Sequence, residues 1–292
     1  HDVEADVIHC HDWMTYEAGI KAKEHHQIPL VVHIHATEFD RTDFKPNQWI
    51  YDQERRGFHA ADKIIAVSNY TKSLLVNHYG VSPDKIEVVY NGHESKGPVS
   101  VTVDPMVCEK RKEVPLVLFL GRLTVQKNPV QFLNVAKAIH EHRPDVQFVM
   151  AGEGNMLEEL LDKTCELGLA ENVIFTGKVS RKEADHLYKH ASCFVMPSLS
   201  EPFGLVALEA ISHGVPVVLS KQSGAAEVCE HSFKVDFWDT DYMADCILTI
   251  LREDPLSEQL RSEAPHVLTR LAWKNQAAEV QSVYSDTLSS AL

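Results

Sequence analysis

Two glutamates bracket the stretch Glu201-Pro202-Phe203-Gly204-Leu205-Val206-Ala207-Leu208-Glu209, which follows an apolar run and opens a helix. The first turn of a helix leaves backbone N–H groups unpaired and carries partial positive charge, so Gly204 and Leu205 can offer amides to a diphosphate. Gly204 permits close approach of the ligand. Leu205 and Glu209 share a helix face, and helical side chains lean toward the N-terminus, so the Glu209 carboxylate projects back toward whatever binds there. A ribose diol suits such a carboxylate. The same pattern also describes an ordinary amphipathic helix with a surface glutamate.

A second set of candidate residues lies earlier. The fully apolar run Leu116–Leu120 is followed at once by Gly121-Arg122-Leu123-Thr124-Val125-Gln126-Lys127-Asn128-Pro129 and then a helical pattern. Ligands of open α/β sheets bind beyond the carboxyl ends of the strands, which is where this loop falls. Asn128 is expected to cap the helix and Pro129 to occupy its first turn, holding Arg122 and Lys127 in the loop. A planar guanidinium fork and a point charge match two adjacent phosphates. Ala151-Gly152-Glu153-Gly154 also joins a strand to a helix but lacks the third glycine of a dinucleotide fingerprint, so it reads as a tight turn near the site. Ser223-Gly224-Ala225-Ala226-Glu227 is another loop at the same edge.

The first third of the chain concentrates histidines: His9, His11, His25, His26, His33 and His35 among 17 in all. Alternate strand positions share a face, so His33 and His35 could grip a metal, yet no third ligand follows at a usual spacing and no metal is expected. His35 with the loop Ala36–Arg41, and His11-Asp12-Trp13, stand at the carboxyl ends of strands and border the expected cleft. Packed imidazole and aromatic anchor are the structural alternatives for His35 and Trp13.

The elements that position these residues are short β-branched runs alternating with helical patterns, which is how βα units wind into parallel sheets. Expected strands are Asp6–His9, Leu30–Ile34, Lys63–Val67 and Ile86–Val89, then Leu116–Leu120, Val146–Met150, Val173–Thr176, Cys193–Met196, Val215–Leu219 and Phe233–Val235. Helices are expected near Thr15–His26, Pro46–Ala60 and Tyr70–Tyr79. Asn91-Gly92 reads as a turn, Gly97–Glu113 as the interdomain linker, and the segment from about Pro265 to Leu292 as a helix interrupted near Trp273. The first half starts directly on a strand and reads as lacking the leading strands of a doubly wound sheet of about six strands.

With 292 residues and 44% hydrophobic content the chain can bury a large core and fits two domains. Six scattered cysteines without a CxxC pair argue against a disulfide framework or structural zinc and fit a reducing, cytoplasmic setting. A formal charge of −14 disfavours nucleic acid or anionic membrane as partner. No apolar run approaches the ~20 residues of a membrane span.

Together, Gly121-Arg122-Leu123 with Lys127, the Glu201–Glu209 segment, His11-Asp12-Trp13, the His35 loop and Val89-Tyr90-Asn91-Gly92 resemble the retaining glycosyltransferases of the GT-B fold, in the subgroup of glycogen and starch synthases and sucrose-type glucosyltransferases. The resemblance implies an α/β protein of two Rossmann-like parallel-sheet domains facing across a cleft. It implies an incomplete acceptor-side domain over residues 1–105, a nucleotide-sugar domain over 106–270, and a closing helix over 271–292 that returns to the first domain. The implied reaction moves a hexose, glucose by preference, from a UDP- or ADP-sugar to a carbohydrate or other hydroxyl acceptor, with an α-glycosidic bond formed and no metal or other cofactor required. The implied catalytic group is His35, Arg122, Lys127 and Glu201. The implied donor contacts are Gly121, Arg122, Lys127, Gly204, Leu205 and Glu209, and the implied acceptor-side residues are Asp12, Trp13 and Arg41. Two other functions share the architecture: a sugar-nucleotide epimerase or isomerase, and a non-catalytic nucleotide-sugar-binding subunit.

Overall fold

The computed structural model describes residues 4–94, 114–262 and 264–291. The segment expected to be a linker, 97–113, lies outside them. The chain forms two compact units, one of His1–Glu94 together with Leu271–Leu292 and one of Ser95–Arg270. Both are built on parallel sheets flanked by helices, the α/β architecture that the resemblance implies. Among the described residues no helix is long and apolar enough to cross a membrane.

The first unit holds β1 (Ile8–His11), β2 (Leu30–Ile34), β3 (Lys63–Ala66) and β4 (Ile86–Val88), parallel and in that spatial order. All five residues of β2 are buried, as a central strand covered on both faces requires. One face packs Tyr16, Phe58, Leu75 and Tyr79 against Val32, Ile34 and Ile64. On the other, Val31, Ile65 and Val89 meet Val283 of the helix Trp273–Ala291. β1 begins two residues later than Asp6–His9 because its pairing starts at Ile8↔Leu30 and runs on to His11↔His33. The helix expected from Pro46 starts at Gln48, where the Asn47 side chain accepts hydrogen bonds from the amides of Trp49 and Ile50.

Asn91-Gly92 is not a turn. A Cβ on Gly92 would lie 2.5 Å from the Trp273 ring, and the His93 amide donates to the Leu271 carbonyl at 2.7 Å. The glycine is there for close packing, and it seats the start of the last helix against the strand end that precedes it.

The second unit holds β5 (Leu116–Leu120), β6 (Gln147–Ala151), β7 (Val173–Gly177), β8 (Cys193–Met196), β9 (Val217–Ser220) and β10 (Phe233–Val235). Their spatial order is β10-β9-β8-β5-β6-β7, all parallel. This is a doubly wound sheet in which the chain reverses direction between β5 and β8, and ligands of such sheets bind beyond the strand ends at that reversal. One apolar cluster of its core includes Phe119, Phe132, Phe148, Met150, Leu160 and Ile247, and Leu118, Phe194, Leu208 and Leu219 are buried outside that cluster.

Candidate active site

In the second unit, the loops that leave β5 and β8 are stitched together at the reversal point. The Leu199 amide donates to the Gln126 carbonyl at 3.0 Å, the Gln126 side-chain amide donates to the Ser200 carbonyl at 3.1 Å, and the Asn128 side-chain amide donates to the Pro197 carbonyl at 3.1 Å. Asn128 therefore does not cap its helix with its side chain, contrary to the sequence expectation. It takes the left-handed conformation, φ 52°, and spends its amide on the neighbouring loop, while Pro129 does open the helix Pro129–His140.

These stitches bring Lys127 to Glu201. The Lys127 ammonium donates to Glu201 Oε2, and Ser198 Oγ approaches the same oxygen at 3.5 Å. Both partners are largely buried, with side-chain exposures of 19% and 8%. The segment carrying Glu201 is fixed from its other side. Its amide donates to the Gln222 carbonyl at 2.9 Å, and its carbonyl accepts from the Gly224 amide at 3.0 Å. The Ser223–Glu227 loop is thus a scaffold for Glu201, with Ser223 capping the short helix Gly224–Val228.

Three residues on, Gly204 adopts φ 102° and precedes the helix Leu205–Ser212, whose amides no side chain caps among the described residues. A Cβ at Gly204 would lie 2.8 Å from Met196 Cε and 3.2 Å from Glu201 Cγ, so the glycine is required by conformation and by space. Lys127, Glu201 and the helix start are therefore neighbours. Leu205 is half-exposed at the first helical position. Glu209 lies one turn into the helix, where the phenol of buried Tyr188 donates to Glu209 Oε2 at 3.0 Å and to the Val206 carbonyl at 3.2 Å. Burial and the Glu209 charge push the Tyr188 phenol far above its ordinary range, so it remains a donor. Sequence reasoning missed Tyr188, because nothing local ties a tyrosine on the helix Arg181–His190 to a glutamate 21 positions away.

Arg122 is exposed in the loop after β5 and makes no side-chain ion pair among the described residues. Beside it, a side chain at Gly121 would meet no protein atom within 4 Å. The glycine pair 152 and 154 explains how this loop is shaped. Gly152 takes φ 138°, and a Cβ there would lie 1.9 Å from the Gly121 carbonyl oxygen; one at Gly154 would lie 2.2 Å from the Leu123 carbonyl oxygen. Two backbones run in contact, joined by Gly121 N–H to Ala151 O at 2.9 Å and Leu123 N–H to Glu153 O at 3.0 Å.

In the first unit, four histidines stack at the carboxyl ends of β1 and β2. His9 and His11 lie 4.4 Å apart between ring centroids, His33 and His35 4.4 Å, and His11 and His33 5.1 Å. His11 Nδ1 is 2.9 Å from His35 Nε2, and His9 Nδ1 is 2.6 Å from the Tyr284 hydroxyl. Burial, followed by the neighbouring imidazoles, lowers His9 to about 4 and His33 to about 2; burial lowers His35 as well, against the pull of Asp12. Asp12 locks the two strand ends together: its Oδ1 accepts from the His35 amide at 2.9 Å and its own amide donates to the His33 carbonyl at 3.0 Å. It does so in a conformation, φ 56° and ψ 164°, that is costly for any residue but glycine.

Two of the residues expected on the acceptor side, Trp13 and Arg41, have internal partners. Trp13 packs edge-on against Trp49 at 5.5 Å. Arg41 stands 3.6 Å from the fully buried Glu54 carboxylate, which also receives the Tyr79 hydroxyl and is raised by burial to about 7. The rest of the Ala36–Arg41 loop is internal structure, with Thr37 and Asp40 forming a buried capping box.

The profile of glycosyl transferases group 1 matches residues 104–267, more than half of the chain and the whole of the sheet that carries Lys127 and Glu201. The chain belongs to that family. The profile of glycosyltransferase family 4 matches residues 1–96 of this glycosyltransferase. An uncharacterized glycosyltransferase of Methanocaldococcus jannaschii is 32% identical, over 96% of this chain and 75% of the relative. Among solved structures, sucrose-phosphate synthase of Thermosynechococcus elongatus superposes with a TM-score of 0.80 at 19% identity, covering 98% of this chain and 74% of its own. Anabaena HepE in complex with UDP-glucose superposes at 0.77 with 22% identity, covering 98% and 79%.

Proposed function

We propose that this glycosyltransferase moves a hexose, glucose by preference, from a nucleoside diphosphate sugar to an acceptor hydroxyl with retention of configuration, giving an α-glycosidic bond. The observation that carries the reading is the Lys127–Glu201 pair, held at the sheet's reversal point next to the uncapped helix start at Gly204. The UDP-glucose in the HepE structure supports the donor class. The bond from the anomeric carbon to the diphosphate breaks, the acceptor oxygen bonds to the same face, and the acceptor proton passes to the departing phosphate oxygen. Negative charge grows on the leaving group. Arg122, Lys127 and the amides at Gly204 and Leu205 stabilise it there, an effect worth ~3–4 kcal/mol per well-placed donor. Glu201 contacts the sugar hydroxyls and Glu209 the ribose; His35 orients the reacting sugar, a role that rests on the resemblance. These groups neutralise the leaving group without a metal. Asp12, Trp13 and Arg41 act on the acceptor side, with Asp12 and Arg41 working through the backbone and the buried carboxylate they hold.

Tyr188→Phe follows from the same reading. Losing a hydrogen bond to a charged group costs ~1.5–3 kcal/mol, so donor KM is expected to rise about tenfold with kcat little changed. An unaltered KM would remove Glu209 from the ribose site. The reading as a whole is tested by screening UDP- and ADP-hexoses with glucan and small-sugar acceptors and assigning the anomeric configuration of the product by NMR. An α-linked product supports it. A β-linked product, or isomerised nucleotide sugar formed without any acceptor, refutes it.

A further inference from the structure

The four stacked histidines hold more than the role of His35 uses. Along β2 alone His33 and His35 lack a third partner, which is why the sequence argues against a metal. The adjacent strand changes this, because it supplies two imidazoles, His9 and His11, that join His33. His9 and His11 alternate onto one face of β1, and His11 is in register with His33 on β2, so three imidazoles gather on the same face of the sheet. One ring nitrogen from each of His9, His11 and His33 lies within 4.8 Å of the other two.

The donor inventory of these rings is unbalanced. His33 is more than nine-tenths buried, and neither of its ring nitrogens has a hydrogen-bond partner among the described residues. His9 gives Nδ1 to the Tyr284 hydroxyl and leaves Nε2 buried and unpartnered. Buried polar nitrogens without partners are costly, and two pointing into one cluster mark a place where something accepts or binds them. Tyr284 on His9 and His35 on His11 occupy the second nitrogens of two rings, the outer-shell bonds that orient metal-binding histidines.

We propose that His9, His11 and His33 form a binding site for a divalent first-row transition metal, with zinc the best match to an all-imidazole set. Three imidazoles with an open fourth position fit tetrahedral zinc, with Zn–N distances of ~2.0–2.1 Å reached by modest ring rotation. Magnesium and calcium, which take oxygen ligands, are excluded by the same set. The site is independent of the donor reading, because all of its residues belong to the first unit.

The test is calorimetric titration of the tag-free, chelator-treated full chain with zinc chloride, alongside the visible spectrum with cobalt(II). The expected result is one saturable zinc equivalent and a cobalt spectrum of tetrahedral intensity. Both are lost, with affinity falling at least tenfold, in His9→Gln, His11→Gln and His33→Gln, and both are retained in His25→Gln. Because His11 is exposed, His11→Gln leaves the core intact and carries the test even where a buried variant fails to fold. Absence of saturable binding in the native chain overturns the proposal. So does zinc binding that persists unchanged in folded His11→Gln.

Discussion

Lys127→Ala is expected to lower kcat/KM for transfer by roughly two to three orders of magnitude, the usual consequence of removing one preorganised group from a developing oxyanion. It is also expected to destabilise the second unit. Lys127 is the cation paired with Glu201, whose side chain is only 8% exposed, and removing one member of a buried pair leaves the other charge uncompensated at a cost of about 3–5 kcal/mol. The two effects separate in the double variant Lys127→Ala with Glu201→Gln. A neutral amide at 201 no longer requires a cation, so the melting temperature recovers while transfer stays low. If the double variant regained activity along with stability, Lys127 would be a structural cation and nothing more.

Gly152→Ala carries the second large effect. Its backbone stands at φ 138°, and the added methyl would fall 1.9 Å from the Gly121 carbonyl oxygen. Backbone opposes backbone at this point, so no side chain can swing aside to relieve the clash. A loss of about 3–5 kcal/mol is expected, at the upper end for single substitutions. At ~2–4 °C per kcal/mol for a unit of this size, the calorimetric transition should fall by roughly 10 °C. The displaced loop is the one that presents Arg122, so nucleotide affinity should weaken in whatever fraction stays folded. A transition within a degree or two of the native one would mean that the contact between the two loops yields easily.

Those two residues show where the sequence speaks and where it is silent. Leu30–Ile34, Leu116–Leu120 and Cys193–Met196 are strands over the residues their apolar runs indicate, because buried parallel strands need little beyond near-continuous apolar character. The Gly204 segment was legible for a similar reason, since a glycine before an apolar helix is a local signal. The partnership of Lys127 with Glu201 was not, because it spans 74 positions and depends on β5 lying beside β8. Gly152 and Gly154 looked like an incomplete fingerprint. Their purpose became visible only with the loop they touch.

The histidines make the same point in the first unit. Spacing along β2 supplied two rings, and only the register of β1 against β2 brought His9 and His11 to them. Asn128 shows the reverse error: a residue type that favours helix capping took the left-handed conformation and turned its amide to another loop. Tertiary context decided each of these cases.

Cationic side chains at the reversal point of the second sheet are proposed to hold a nucleoside diphosphate, and Arg122 is the residue that tests this with the least ambiguity. Its guanidinium is exposed and makes no ion pair among the described residues, so Arg122→Ala should melt with the native protein. Calorimetric titration with UDP and ADP is the decisive measurement. Whichever nucleotide the native chain binds is expected to be held at least tenfold more weakly by Arg122→Ala. Equal affinity in the two proteins would contradict it.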